Sequence, residues 1–231
     1  MHPTQPPHTE LLETLSAISF LHGLGTAILE EVAGAALWRV YRAGAPVFWE
    51  GEQAAGLYHL RSGWLKVVKS SPDGREQVLR FLGPGETFNE VGVLADRPNP
   101  ATAIALEDAT LWLIERATLR RLLLAHPDVA LRVLENMADR VVGLVQLVAD
   151  LSLHSIEARL SRFLLEQAEG GEVVRPRWST QSELAARLGT VPDVLSRALR
   201  TLSEAGLIVV DRQRIQILDV SALRQRAQLA L

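Results

Sequence analysis

Residues Ser179–Leu218 read STQSELAARLGTVPDVLSRALRTLSEAGLIVVDRQRIQIL. The spacing predicts two short helices around a tight turn, followed by a small β-hairpin. Thr180 and Glu183 stand at capping-box spacing and start the first helix. Leu184 and Leu188 are its buried pair, and Gly189 marks the turn. Pro192 falls in the first turn of the next helix, where a missing N–H costs little. Either Thr190 or Val191 caps that helix. Asp193, Ser196, Arg197 and Arg200 then recur at i, i+3, i+4 and i+7 and share one side. Leu195, Ala198, Leu199 and Leu202 repeat the spacing about half a turn away. One face is built for burial. The other carries the donors and acceptors that read base edges in a DNA major groove. Leu207–Val210 and Arg214–Leu218 alternate as strands around Asp211-Arg212-Gln213, a wing whose Arg212 and Arg214 could meet phosphate.

A plainer reading makes this segment an ordinary helical bundle, with Asp193 and Arg197 as a solvated i, i+4 pair worth a few tenths of a kcal/mol. Helix, glycine turn, two-faced helix and wing in succession favour double-stranded DNA as the partner.

Composition bounds the rest. A chain of 231 residues, 48% hydrophobic and 22% charged, supports two ordinary domains. No apolar run is long enough to cross a bilayer, so a membrane is not expected as a partner. Residues 1–10 hold three prolines in the first seven positions, lack a secretory pattern and read as a short tail, which points to the cytoplasm. The absence of cysteine excludes disulfides, thiol switching and cysteine-held iron–sulfur or zinc sites. The net charge of −3 is uneven. From Ser155 onward 11 arginines face 9 acidic residues, whereas the first 154 residues hold 13 basic and 18 acidic ones. A mildly basic module joined to an acidic one fits DNA binding on one local face.

Upstream, Leu11–Ala35 reads as one or two short helices around Gly23 and Gly25. From Trp38 to about Ile114, short apolar runs alternate with glycine turns at roughly ten-residue spacing, which predicts an all-β sandwich or barrel. Pro127–Leu151 predicts a long helix. Its Ala130, Leu134, Met137, Val141, Leu144, Val148 and Leu151 alternate steps of four and three, the seam of a parallel dimer. A second stripe, Leu131, Val142 and Val145, is expected to face the β domain. Leu151–Ser155 breaks the pattern and marks the hinge. These readings divide the chain into a tail at 1–10, a sensor domain at 11–126, a dimerising helix and hinge at 127–153, and a DNA-binding domain at 154–231. No catalytic nucleophile arrangement, metal-ligand spacing or phosphate loop stands out, so neither an enzyme nor a metal protein is expected. The rival reading is a ligand-binding or enzymatic β-barrel whose helical tail binds protein.

The glycine-punctuated β segment, the stretch GETFNEVGVL at 85–94, the long helix after His126-Pro127-Asp128 and the winged segment together resemble the Crp/Fnr family of bacterial transcription regulators. The resemblance spans nearly the whole chain. It implies an α+β protein: an N-terminal antiparallel, jelly-roll-like β-roll, a long dimerisation helix and a C-terminal winged helix-turn-helix. It also implies a homodimer, double-stranded DNA and RNA polymerase as partners. The family's recognition helix commonly carries Glu-x-x-Ser-Arg, and here the matching residues are Asp193-Val194-Leu195-Ser196-Arg197. By that resemblance Arg197 donates to a guanine, Asp193 accepts from a cytosine, and Ser196 and Arg200 support base and phosphate contacts. Thr180, Gln181 and Ser182 open the first helix, where Gln181 and Ser182 match phosphate-touching positions. Asp replaces Glu with one methylene less reach, and Pro192 replaces the polar or basic residue frequent there.

In cyclic-nucleotide-binding relatives the β-roll carries Gly-Glu and, about ten residues on, an Arg-Ser whose arginine pairs with the phosphate. The matching residues here are Asn89-Glu90 and Pro100-Ala101, with no cation in that loop nearer than Arg97. Long-helix positions that meet the purine correspond to Leu144 and Val145. A phosphate buried without its cation is costly, so an effector other than cAMP is expected. Glu90 is read as an acceptor for the loop's own N–H groups. Some relatives bind haem. His22 is the conceivable axial ligand here, His59 reads as an ordinary strand residue, and an apolar ligand or none remains open.

Overall fold

The computed structural model describes residues 6–18 and 20–227. The chain divides into two compact units, residues 1–69 with 79–143 and residues 70–78 with 144–231. No described helix is long and apolar enough to cross a membrane.

The first unit opens with α1 (His8–Ala17) and α2 (Thr26–Ala35), joined through Gly23 and Gly25. Helix α1 begins inside the segment expected as a tail, and residues 1–5 lie outside the described ones. Eight antiparallel strands follow: β1 (Ala36–Tyr41), β2 (Pro46–Phe48), β3 (Gly56–Ser62), β4 (Leu65–Ser70), β5 (Glu76–Leu82), β6 (Thr87–Phe88), β7 (Thr102–Ala105) and β8 (Ala109–Glu115). They form two four-stranded sheets, ordered β1-β8-β3-β6 and β2-β7-β4-β5. Strand β8, ATLWLIE, shows why Leu111–Ile114 are apolar without a break. Its side chains alternate faces. Leu111 and Leu113 join Tyr58, Leu60, Leu65, Leu82 and Phe88 in one core. Trp112 and Ile114 enter a second core with Leu11, Leu15, Phe20, Leu57 and Val133.

The second core is covered by helices. Short α3 (Glu90–Ala95) leaves Asn89 in left-handed backbone (φ 78°), and α4 (Arg116–Ala125) leads into α5 (Pro127–Leu153). Val129 and Val133 of α5 are buried in this core, with Met137 packed beside them. The stripe Leu131, Val142 and Val145, expected to face the β domain, is instead 62–68% exposed. At 100° per residue, Leu131 stands about 200° around the helix from Val129, so burying one turns the other outward.

In the second unit, Ser155 caps α6 (Ile156–Gln167) by accepting from the Ala158 N–H. Helices α7 (Gln181–Arg187), α8 (Pro192–Glu204) and α9 (Val220–Arg226) pack with a three-stranded sheet of β9 (Glu172–Val174), β10 (Ile208–Val210) and β11 (Arg214–Ile217), ordered β10-β11-β9. Leu160, Leu164, Leu184, Leu195, Leu199, Leu202, Ile208, Ile215 and Leu223 make the core. The predicted helix pair and hairpin are present, with β9 and α9 added to them. The long helix continues to Leu153, through the residues read as its hinge, and the boundary between compact units falls at Gly143/Leu144.

Candidate nucleic-acid interface and sensor pocket

The turn of the second unit is set by local chemistry. Thr180 caps α7 by accepting from the Glu183 N–H at 3.2 Å. Gly189 takes φ +63°, left-handed backbone that favours glycine. Val191 is the N-cap of α8 and offers no side-chain bond, with Pro192 at the first helical position. The open choice of cap therefore resolves to Val191.

Helix α8 presents the two faces read from sequence. Leu195, Ala198, Leu199 and Leu202 are buried. Asp193, Arg197 and Arg200 are exposed, and among the described residues none of the three side chains has an intramolecular partner. Asp193 and Arg197, one turn apart, do not pair. Ser196 differs: its hydroxyl lies 2.9 Å from the Pro192 carbonyl and 3.1 Å from Gln181 Oε1, so it ties α8 to the start of α7. Thr180 and Ser182 are exposed beside Gln181.

The wing separates its two arginines. Arg214 donates to Asp211 and to Glu172, each at 3.1 Å. Asp211 also accepts from the Gln213 and Arg214 N–H groups, and these bonds hold its carboxyl below the usual carboxylate range. Arg214 is thus shared with two carboxylates of its own chain, whereas its expected role was to meet phosphate. Arg212 is exposed with no partner among the described residues, beside an open hollow of about 550 Å³ lined by Val174, Asp211, Gln213 and Arg214. Glu172, which holds Arg214, lies 42 residues away in sequence, so local patterning could not find it.

In the sensor unit the sequence reading missed one side chain. Arg140 of α5 pairs with the Glu90 carboxylate and donates to the Thr87 carbonyl at 2.8 Å. Glu90 is 4% exposed, and its partner is this arginine rather than the loop's N–H groups. A cation therefore does stand against Glu90, supplied by the long helix and not by the loop around Arg97. The other Glu90 oxygen, Oε1, is buried without a partner. Glu90 borders a cavity of about 10 Å³, lined also by Phe20, Leu57, Leu94, Leu119, Val133 and Asn136, room for roughly one water. Asn89 turns its amide to the Gly56 carbonyl at 3.1 Å. Pro100 is exposed and Ala101 buried. Leu144 and Val145 are 49% and 64% exposed in the protomer and are not among that cavity's lining residues.

His59 is buried with Nδ1 unpartnered, and burial pushes its pKa down to about 4. His22 is exposed, with Nδ1 3.2 Å from the Ser16 carbonyl. Among the described residues no cluster of three or more His, Cys, Asp or Glu side chains could hold a metal.

Comparison with known proteins matches this geometry. Residues 38–126 match the cyclic nucleotide-binding domain family, and residues 158–226 match the Crp-like helix-turn-helix domain family. The chain is 33% identical over 180 residues to a probable transcriptional regulator, flp, of Lacticaseibacillus casei, covering 76% of this chain and 81% of that protein. It is 28% identical over 191 residues to a CRP-like cAMP-activated global transcriptional regulator of Mycobacterium tuberculosis, covering 80% and 85%. The fold is similar to that of FixK2 from Bradyrhizobium japonicum, with a TM-score of 0.75 at 23% identity over 85% of this chain and 99% of that one. Both curated relatives carry the names of transcriptional regulators, and residues 158–226 of this chain match a helix-turn-helix family, which favours a regulator over the rival β-barrel enzyme. With a β-roll of the cyclic nucleotide-binding domain family, a long helix and a winged Crp-like module in one chain, this protein belongs to the Crp/Fnr family of transcription regulators.

Proposed function

We propose that the protein acts as a cytoplasmic homodimer that places α8 of each protomer in successive major grooves, about 34 Å apart, of a near-palindromic site. The carrying observation is the outer face of α8. Asp193, Arg197 and Arg200 stand exposed and unpaired directly behind a fully packed apolar face. In this reading Arg197 donates to guanine and Asp193 accepts from cytosine. Arg200, Arg212, Thr180, Gln181 and Ser182 meet the backbone.

Dimerisation is supported by α5, where Leu134, Val141, Leu144 and Val148 are 49–63% exposed in the protomer. Such a strip on a soluble helix asks for an apolar partner, and its four-three spacing suits a second copy. Met137, by contrast, packs in its own core, and Leu151 also turns inward within its chain.

The cyclic-nucleotide-binding family of the sensor domain supports a small-molecule effector, and we infer that it is not cAMP. Pro100-Ala101 supplies no phosphate cation, and Glu90 is already paired with Arg140. RNA polymerase completes the partners of a regulator of this kind.

Selection from random duplexes, followed by sedimentation of the protein–DNA complex, tests the reading. The expected outcome is a two-fold symmetric site bound by two chains, unaffected by cAMP. A chain that stays monomeric, or shows no preference among duplexes in dilute buffer, overturns it.

A further inference from the structure

The last turn of α5 was read as the end of the dimer seam, yet it is engaged inside its own chain. Leu151 is half-buried in the protomer, unlike Val148 at 63% exposure. A Cβ built on Gly189 would stand 2.3 Å from Leu151 Cδ2. The leucine methyl therefore lies directly over the bare Cα of the helix-turn-helix turn. Arg159 Nη1 approaches the same point at 3.2 Å. One residue earlier, Asp150 accepts from the buried Arg162, whose Nε is fixed by the Ala227 carbonyl at 2.8 Å. Gln146 adds a bond to Asp150 at 3.2 Å.

We infer that Asp150 and Leu151 are positioning residues for DNA recognition: they clasp the end of α5 to α6 and to the Gly189 turn, and so fix where α8 begins. Glycine is doubly required at 189, by its left-handed backbone and by the leucine seated on it. Helix α8 starts three residues after that glycine, at Pro192. A shift or rotation of the end of α5 therefore moves the turn and, with it, the face that carries Arg197. Closely packed groups transmit such shifts because they cannot deform continuously. The inference rests on the DNA-binding reading above.

The test uses the full chain and a duplex selected by the wild type. Leu151→Ala and Asp150→Asn are compared with Val148→Ala, a seam position. Sedimentation equilibrium gives the dimer, thermal melting checks the fold, and anisotropy gives affinity for the selected and a scrambled duplex. Leu151→Ala and Asp150→Asn are expected to stay dimeric and folded. They should lose about tenfold affinity for the selected duplex while binding the scrambled one as before. Val148→Ala should weaken the dimer and lower both affinities together. If Leu151→Ala dissociates the dimer as Val148→Ala does, the leucine belongs to the seam and the inference falls. It falls equally if both clasp variants keep wild-type affinity for the selected duplex. Absence of any preferred duplex for the wild type overturns the DNA-binding reading itself, and this inference with it.

Discussion

Arg140, halfway along α5, closes on the buried carboxylate of Glu90 at the start of α3. The two come from elements 50 residues apart. Their pairing ties the long helix to the Asn89–Glu90 segment at the start of α3. Removing one partner leaves the other buried and uncompensated. Arg140→Met is therefore expected to cost about 3–5 kcal/mol in chemical denaturation. The double variant Arg140→Met with Glu90→Gln should recover a large part of that loss, because no full charge remains buried. A double variant no more stable than Arg140→Met would show that the arginine acts through packing alone.

His59 gives the sensor unit an acid limit. Its pKa falls to about 4 because burial disfavours the imidazolium, against an unfolded value near 6.5. Between those values the unfolded chain binds the extra proton. Stability from this residue is thus complete above pH 6.5 and is lost as pH falls toward 4. The loss between pH 7 and pH 5 amounts to about 2 kcal/mol. His59→Leu should flatten that part of the stability profile, measured by urea midpoint at the two pH values. An unchanged slope in the variant would assign the acid sensitivity to other groups.

The wing predicts a contrast between neighbouring arginines. Arg212 is unpaired, so Arg212→Ala should weaken binding equally on all sequences and lower the salt slope by about one. Arg214 is already neutralised by Asp211 and Glu172. Arg214→Ala should leave the salt slope nearly unchanged and act instead on the melting of the winged unit. Anisotropy titrations across a salt series separate the two.

On α8, Arg197→Ala is expected to cost about 1–3 kcal/mol on the selected site and to relax one base pair per half-site. An equal loss on every sequence would place Arg197 on the backbone only. Ser196→Ala should lose less base discrimination, since its hydroxyl is spent on Pro192 and Gln181.

The winged unit was legible because its signals are local. Thr180 to Glu183, Gly189, and the spacing of Leu195 to Leu202 each act within a few residues, and the structure keeps all of them. The β strands were legible from their glycine-separated apolar runs. What escaped depends on distant partners. Arg140 stands seven residues after buried Val133, on the same stripe, yet its role is visible only once Glu90 is folded beneath it. Arg214 looked free because Glu172 reaches it across the sheet from β9, a strand of three residues with a weak pattern. The assignment of Leu131 to the inner face failed because apolarity alone does not say which side of a helix is covered. Val129 and Val133 settled that rotation.

Asp193 has a further consequence on a polyanion. An unpaired carboxylate on the face proposed to meet DNA would be repelled by phosphate wherever the protein rested on an arbitrary stretch of duplex. Only a base edge offering an amino group relieves that repulsion. In the proposed complex the aspartate would therefore shorten the dwell time on wrong sites more than it lengthened the stay on the right one. On that reading, searching would be made faster by a residue that contributes little grip.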